Sequence, residues 1–174
     1  MRDGDALDNN PEIARSALEA IHSQVFGWAL SRCDYDRSVA EDLMQQAYVE
    51  ILSGAARFRG ESTLKTFVFS IVQNLARGRY RRLASRLRLT RQHADEQDES
   101  YTPEANHSDI GIWQAVTALP ARQRDVIELV FLCDMTIEEA SMVMGVSLGT
   151  GRTHYDRAKK ALRQQLDQVA RDLL

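Results

Sequence analysis

The stretch TIEEASMVMGVSLGTGRTHYDRAKK, residues 136–160, decides the fold of the second half of this 174-residue chain. Its first four residues, Thr136-Ile-Glu-Glu139, form a capping-box pattern that predicts a short helix, which Gly145 ends. Ser147 is typical of the cap of a longer helix, from about Leu148 towards Leu174. A short helix, a tight glycine-containing turn and a longer basic helix predict a helix-turn-helix, whose second helix enters the major groove of DNA.

The longer helix of this motif carries cationic and hydrogen-bonding side chains near its beginning. Arg152 can read a guanine edge with two hydrogen bonds. The other side chains that can reach bases or phosphates are Thr150, Thr153, His154, Arg157, Lys159 and Lys160. Because helical hairpins inside bundles produce the same pattern, the motif by itself indicates DNA binding without establishing it.

Upstream of the motif, apolar residues recur every three or four positions, which is the spacing of one face of an α-helix. A first helix is predicted from Pro11 to about Cys33. A second opens at the capping-box pattern Ser38-Val-Ala-Glu41 and ends at Gly54. A third is predicted to be capped by Ser62 and to continue into an arginine-rich segment.

Two more helices are predicted before the motif, one capped by Ser108 and one begun by Pro120. Residues 92–108 lack apolar periodicity and contain Pro103 and several acids, which is typical of a flexible acidic linker. No segment has the pattern of a strand. The sequence therefore predicts an all-α protein of two small helical domains, residues 1–91 and 109–174, joined by that linker.

Charge is distributed unevenly along the chain. The formal net charge is −3, yet seven arginines and no acid lie between positions 77 and 91. A basic stripe of this kind is typical of a surface that binds nucleic-acid phosphates, and the alternative is a solvated helix face. We favour the nucleic acid, because a face of one sign repels itself unless a partner neutralises it.

The composition disfavours a membrane protein and an enzyme. No apolar run approaches the roughly 18 residues of a membrane span, and the polar N-terminus MRDGDALDNN has no secretory signal, so we expect a cytoplasmic protein without membrane insertion. Two cysteines 100 positions apart indicate free thiols. The four histidines are scattered and no glycine-rich phosphate loop occurs, so we expect no catalytic residue, metal or cofactor.

Two groups of short motifs, taken together, resemble one family of transcription proteins. The first group is Ala40-Glu-Asp-Leu-Met-Gln-Gln-Ala-Tyr-Val-Glu-Ile-Leu52, Phe58-Arg-Gly-Glu-Ser-Thr-Leu-Lys-Thr-Phe-Val-Phe-Ser-Ile-Val-Gln-Asn74 and Arg81-Arg82. The second group is Leu119-Pro-Ala-Arg-Gln-Arg124, Ser147-Leu-Gly-Thr150, Arg157-Ala158 and Leu162. In this order, over about residues 12–90 and 110–168, they resemble the second and fourth regions of extracytoplasmic-function sigma factors of the sigma-70 family.

The resemblance implies a subunit that directs RNA polymerase to promoters. Its first domain would melt the −10 element and its second would recognise the −35 element. The implied partners are promoter DNA, an anti-sigma factor and the polymerase core, through the clamp helices of the largest subunit and the flap of the β subunit. The residues that the resemblance assigns to the polymerase core are Asp42, Gln45, Gln46 and Val49.

The same motifs imply the residues that contact DNA. A base flipped from the −10 element would lie against the loop from Arg59 to Thr63. The implied −10 residues are Arg59, Gly60, Glu61, Ser62, Thr63, Lys65, Asn74, Arg77, Tyr80 and Arg81, of which Tyr80 can stack on a base. The implied −35 residues are Ser147, Gly149, Thr150, Arg152, Thr153, His154 and Arg157.

Five positions depart from the usual pattern of that family. Phe67 stands where Trp is usual and is expected to fill the same core position, and Gln46 stands where Glu is usual. Gly78 replaces Asp and should loosen its helix by about 1 kcal/mol relative to Ala. Ser141 replaces Ala, which is tolerable, but Gly151 replaces Val and should weaken the −35-reading domain by removing a packing contact.

Two other functions remain open on the sequence. The chain could be a sigma-like decoy that binds an anti-sigma factor without touching DNA, which the glycines at positions 78 and 151 would favour. It could also be a helix-turn-helix regulator whose first half senses a ligand or dimerises. A sigma factor binds promoter DNA only together with core polymerase, whereas a regulator binds alone.

Overall fold

The computed structural model describes residues 11–90 and 110–172, and within these ranges every regular element is a helix. The chain divides into two compact units, Met1–Gln97 and Asp98–Leu174. The all-α class is thereby confirmed. The expected linker, residues 92–108, and the expected cap at Ser108 lie outside the described residues, so the domain bounds 1–91 and 109–174 stay predictions.

The first unit is a bundle of three helices, α1 (Pro11–Ser31), α2 (Arg37–Leu52) and α3 (Leu64–Thr90), each packed against the other two. At its centre the ring of Trp28 is stacked on that of Phe69, with centroids 5.9 Å apart. Val25, Val68 and Val72, on the same two helices, are also fully buried. Burial of these apolar side chains, at about 1.5–3 kcal/mol each, is what holds the three helices together.

Phe69, and not Phe67, is the aromatic side chain that α3 places in the core. Phe67 is half-buried and packs its ring on the exposed Phe58 of the preceding loop, with centroids 5.3 Å apart. Successive helical residues are about 100° apart, so positions 67 and 69 point in nearly opposite directions. The expected core position of Phe67 is therefore wrong, and this residue instead fastens the loop to α3.

The turn before α2 differs from the prediction. Asp36, not Ser38, caps the helix: its side chain accepts a hydrogen bond from the backbone N–H of Val39 over 3.0 Å. The expected capping box at Ser38 is wrong, because the Glu41 carboxylate is paired with Arg37 over 3.0 Å. Gly54, with a φ of 76°, follows the end of α2 as predicted.

The third helix begins one residue later than predicted. Thr63, rather than Ser62, is its cap, since the Thr63 hydroxyl oxygen accepts from the backbone N–H of Thr66 over 3.1 Å. The Ser62 hydroxyl instead donates to the carbonyl of Thr63 over 3.2 Å. The helix then runs for 27 residues, which confirms that it continues into the arginine-rich segment.

The second unit contains α4 (Ile110–Thr117), α5 (Ala121–Ile127), a π-helical turn (Glu128–Leu132), α6 (Ile137–Met144) and α7 (Leu148–Asp172). Helices α4, α5 and α6 all pack on α7. Leu129 and Met144 are the largest fully buried side chains of this core. The π-helical turn was not predicted; it interrupts the helix that follows Pro120 and leaves Phe131 and Leu132 exposed.

The helix-turn-helix has the predicted caps. Thr136 and Glu139 form the reciprocal capping box: the Thr136 hydroxyl accepts from the Glu139 N–H over 3.1 Å, and the Thr136 N–H donates to the Glu139 carboxylate over 2.9 Å. Gly145, with a φ of 65°, ends α6. The Ser147 hydroxyl accepts from the N–H of Thr150 over 3.2 Å and caps α7.

Candidate nucleic-acid interface

A polar stripe runs along one face of α3, buried near its beginning at Thr66 and exposed further along at Asn74 and Arg81. Its members recur every three or four residues and therefore share one helix face. We call it the α3 stripe, and it consists of the cap Thr63 followed by Thr66, Ser70, Asn74, Arg77 and Arg81. Asn74 and Arg81 are exposed, and Arg77 is half-buried. The structure thus brings together Thr63, Asn74, Arg77 and Arg81, four of the residues expected to contact −10 DNA.

Two members of the α3 stripe were missed in the sequence. The Thr63 and Thr66 hydroxyls are hydrogen-bonded to each other over 2.9 Å, and the Ser70 hydroxyl donates to the Thr66 carbonyl over 2.8 Å. Thr66 is buried, whereas Ser70 is half-buried. The three- and four-residue spacing from Thr63 to Asn74 was the signal that could have found them.

The loop that precedes α3 presents its polar side chains to solvent. Arg59 and Glu61 are exposed on either side of Gly60, which has a φ of 73°. This left-handed conformation favours glycine. The Phe58–Phe67 ring contact anchors the loop next to the start of the α3 stripe. The loop and the beginning of the stripe therefore lie next to each other on the first unit.

Lys65 and Tyr80 lie away from this surface, although both were expected to join it. At 100° per residue, Lys65 is on the side of α3 that further along carries the buried Val72 and Ala76. Tyr80 lies about a quarter turn from the stripe, and its hydroxyl donates to the carboxylate of Asp34 over 3.2 Å. The two residues share a helix with the other −10 candidates but not a face.

The four residues expected to bind polymerase form one surface on α2. Asp42, Gln45, Gln46 and Val49, here called the α2 patch, are all exposed. They lie opposite the buried face of the helix, which consists of Ala40, Leu43, Met44 and Ala47. Val49 is 63% exposed, although it is apolar. The neighbouring Leu52 is also exposed and extends the α2 patch by one turn.

Helix α7 begins with an exposed face that holds most of the expected −35 residues. We call it the reading face, and it consists of Gly149, Thr150, Arg152, Thr153 and Arg157, all exposed. Ser147 is exposed as well, but its hydroxyl caps the helix. His154 is half-buried at the edge next to the core. The arrangement leaves the Arg152 and Arg157 side chains available for base edges and phosphates.

The reading face contains an acid that was missed. Asp156 is exposed between Thr153 and Lys160, which lie one turn before and one turn after it. A carboxylate at this position can accept a hydrogen bond from a cytosine amino group and repels phosphate. The spacing in the sequence could have placed Asp156 on this face, since it follows Thr153 by three residues and has cationic residues on both sides.

Gly151 lies on the opposite, buried side of α7, against Ser141 of α6. The expected loss of a packing contact is offset here, because the Ser141 side chain occupies the space into which a side chain at position 151 would project. Whether this glycine weakens the −35-reading domain stays a prediction. Arg122 of α5 donates to the carbonyl of Met144 over 3.2 Å and holds the end of α6. The helix-turn-helix is therefore closely packed around its turn.

Other kinds of site are not found in the part of the chain that the structure describes. Within residues 11–90 and 110–172, no three His, Cys, Asp or Glu side chains come together as a metal-binding group. None of the helices in these ranges combines the length and the apolar character needed to cross a membrane. Cys33 and Cys133 are both buried as free thiols.

The first unit is a three-helix bundle with a polar and basic stripe, and the second is built around a helix-turn-helix. Together they are typical of a DNA-binding transcription protein. Two family models match the chain in the same order: Sigma-70 region 2 over residues 17–86 and Sigma-70, region 4 over residues 110–162. The chain belongs to the sigma-70 family and, within it, to the sigma factors of the extracytoplasmic-function type. It is a transcription initiation factor of RNA polymerase.

Curated relatives agree with this assignment. RNA polymerase sigma factor HrpL of Pseudomonas syringae pv. syringae is 27% identical over 143 residues, which are 75% of this chain and 74% of the relative. ECF RNA polymerase sigma factor SigX of Bacillus subtilis is 26% identical over 148 residues, 80% of this chain and 76% of the relative. RNA polymerase sigma factor YlaC of the same organism is 26% identical over 163 residues, 87% and 93% respectively.

Two solved structures share the fold. The sigma factor RpoE of Bartonella quintana, in complex with the anti-sigma factor NepR, matches with a TM-score of 0.72 at 22% identity, over 90% of this chain and 98% of that one. CnrH, in complex with the cytosolic domain of CnrY, matches with a TM-score of 0.60 at 23% identity, over 90% of each chain.

Proposed function

We propose that the first unit binds the polymerase core through the α2 patch and holds the melted −10 element along the α3 stripe. The observation that carries this proposal is the exposure of the whole α2 patch and of Asn74 and Arg81 on the α3 stripe. These exposed side chains are not part of the core of the bundle, so they are available to a partner. Exposed Val49 supports a protein partner for the α2 patch, because an apolar side chain gains free energy when it is removed from water.

The α3 stripe suits a single strand better than a duplex. Hydroxyl and amide groups precede the arginines along it, so the loop from Arg59 to Thr63 and Asn74 would take base edges. Arg77 and Arg81 would take the phosphates. Gly78 lies between them, and a Cβ at this position would meet no atom within 4 Å. The glycine therefore reflects no steric need of the bundle.

The second unit would read the −35 element with the reading face of α7. Arg152 would bind a guanine edge, while Thr150, Thr153 and Arg157 would contact neighbouring bases or phosphates. Exposed Phe131 and Leu132 on the π-helical turn would offer an apolar contact to the β-subunit flap.

The remaining expectations follow from the family. The chain would act in the cytoplasm, where its polymerase is, and would itself catalyse no reaction. An anti-sigma factor would hold it inactive, as suggested by the structural relative RpoE, which was solved in complex with the anti-sigma factor NepR. It would cover the same faces that bind DNA and polymerase.

In vitro transcription with purified core polymerase and a genomic DNA library tests the proposal. We expect start sites that share −10 and −35 elements and that depend on this chain. Gel mobility with and without core polymerase separates the alternatives: a regulator shifts promoter DNA alone, and a decoy shifts none under either condition. A chain that binds core polymerase yet starts no transcript would contradict the proposal and favour the decoy.

A further inference from the structure

Helices α6 and α7 approach each other most closely where Ser141 meets Gly151. A Cβ atom on Gly151 would lie 3.1 Å from the Ser141 Cβ and 3.7 Å from its Cα, and it would overlap the Ser141 hydroxyl. These distances mean that the Ser141 side chain already fills the space that a side chain at position 151 would need. A glycine at position 151 is therefore required while position 141 is serine.

Ser141 cannot easily move out of the way. It is 2% exposed, and its hydroxyl donates a hydrogen bond to the carbonyl of Ile137 over 2.6 Å. Its own carbonyl accepts from the N–H of Val146 over 3.0 Å, within the turn of the motif. Rotation of the side chain would leave a buried hydroxyl without its partner, which is unfavourable. The hydroxyl thus has a defined place, directly beneath Gly151.

We propose that Ser141 is a positioning residue for −35 recognition. Together with Gly151 it determines the distance between α6 and α7, and therefore where the reading face lies relative to α6. The inference rests on the proposed role of α7 in reading the −35 element. Thr150 and Arg152 are the immediate chain neighbours of Gly151, and both point to solvent. Any displacement of α7 at position 151 therefore moves the reading face directly, and hydrogen bonds to base edges tolerate only a few tenths of an ångström.

Three variants of the full-length chain separate positioning from packing. Gly151→Ala brings its Cβ onto the Ser141 hydroxyl, so we expect the melting temperature of the second unit to fall by at least about 5 °C. Ser141→Ala, combined with Gly151→Ala, removes the hydroxyl and should restore most of that loss. Gly111→Ala in α4 is the matched control, because a Cβ there meets no atom within 4 Å, and its melting temperature should not fall.

In the double variant we expect the protein to fold, but with α7 displaced outward from α6. Its two Cβ atoms would still lie 3.1 Å apart, which is tighter than ordinary contact, so α7 must move outward by a few tenths of an ångström. We measure transcription with core polymerase from promoters with matched and mutated −35 elements. The ratio between the two rates should fall about tenfold in the double variant, the size of losing one good base contact. The rate of transcription by the double variant from a promoter that has only a −10 element should not change.

The outcomes are distinguishable. If Gly151→Ala melts like the unchanged chain, or if the double variant melts no higher than Gly151→Ala, the two residues are not coupled and the inference is wrong. If the double variant recovers both stability and the unchanged −35 ratio, the pair only packs, and the positioning role is wrong. If the unchanged chain itself ignores the −35 element, the proposed function of α7 fails and the positioning role with it, whereas the melting data still report the coupling.

Discussion

The hydroxyl of Tyr80 donates a hydrogen bond to the carboxylate of Asp34 over 3.2 Å, which ties the arginine-rich half of α3 to the turn between α1 and α2. Asp34 and Tyr35 both have left-handed backbones, with φ of 50° and 61°. Non-glycine residues adopt this conformation at a cost, so the surrounding structure must hold it. The bond to Tyr80 is one of the contacts that does so. Partial burial, then the charge of Asp34 and this hydrogen bond, raise the pKa of Tyr80 to about 12.

The raised pKa of Tyr80 predicts a loss of stability at alkaline pH. Between its ordinary value of 10 and about 12, the unfolded chain loses the phenol proton while the folded chain keeps it. The folded state then binds more protons, so the free energy of unfolding falls as the pH rises through this window. Below pH 10 the contribution is fully present.

Urea unfolding of the full chain at several pH values checks this prediction, with Tyr80→Phe as the comparison. The variant lacks the ionisable group, so its stability should fall less steeply between pH 10 and 12. The pKa values of Tyr48 and Cys33 are also raised, mainly by burial, but both groups are present in the two proteins. The difference between the two curves therefore reports Tyr80, together with the charge of Cys33 that helps to raise its pKa. Parallel pH curves would show that Tyr80 contributes nothing.

Alanine variants of Thr63 and of its neighbour Ser62 test which of the two residues caps α3. Thr63→Ala should lower the free energy of unfolding by about 1 kcal/mol, because the N–H of Thr66 loses its side-chain acceptor. Ser62→Ala should change it by less than about 0.5 kcal/mol, since its hydroxyl donates an exposed hydrogen bond to the carbonyl of Thr63, and that carbonyl also accepts from the N–H of Phe67. Chemical denaturation of both variants measures the difference. Equal losses would mean that Thr63 does not cap the helix.

Variants of Arg81 and Arg79 test which face of α3 contacts the DNA phosphates. Both are exposed, but they lie about 160° apart around the helix. Arg81→Ala should reduce the dependence of promoter binding on salt, lowering the slope of log K against log salt by about 0.7 for one lost single-strand phosphate contact. Arg79→Ala should leave the slope unchanged. Titrations of the polymerase complex on promoter DNA at several salt concentrations decide this, and equal slopes in both variants would argue for diffuse attraction.

Val49 tests the α2 patch. Val49→Asp should weaken binding to core polymerase about tenfold or more, because it removes an apolar contact and introduces a charge at an interface. The melting temperature should not change, since Val49 is exposed. Leu87→Asp replaces an exposed apolar side chain of α3 in the same way and should bind core normally. Fluorescence titration with core polymerase in the absence of DNA measures both, and normal binding by Val49→Asp would refute the assignment.

Arg152 tests base reading by α7. Arg152→Ala should reduce discrimination between a matched and a mutated −35 element by about 1–3 kcal/mol, the value of a bidentate contact to guanine. Arg171→Ala removes the same charge from the last turn of the same helix and should leave discrimination intact. Competition for polymerase binding between the two promoters gives the ratio. Unchanged discrimination in Arg152→Ala would remove Arg152 from the reading face as a base-contacting residue.

Much of the fold could be predicted because it depends on local signals. Thr136, Glu139, Gly145 and Ser147 determine the helix-turn-helix through hydrogen bonds between residues three or four positions apart. Such contacts form within one turn of a helix and need no distant partner. The expected caps at Ser38 and Ser62 were displaced because a neighbouring side chain, Asp36 or Thr63, made the same bond from a better position.

The faces of the long helices were harder to predict. Periodicity indicates that α3 has a core side, but its first apolar residues include both Phe67 and Phe69, and only the stacking on Trp28 selects Phe69. The positions of Lys65 and Tyr80 relative to the α3 stripe follow from that choice. The π-helical turn at Glu128–Leu132 has no strong sequence signal either, because it depends on how α5 meets the rest of the second unit.

The sequence by itself determined the helical class, the helix-turn-helix and the family, because caps, spacing and short motifs are local properties of the chain. The tertiary structure decided which side chains share a surface. It separates Tyr80 from Arg81 and places the Ser141 side chain against Gly151, ten residues away, where α6 and α7 pack together. The reason is physical: a pair of residues on different helices interacts only after both helices have packed, and the packing depends on the whole core.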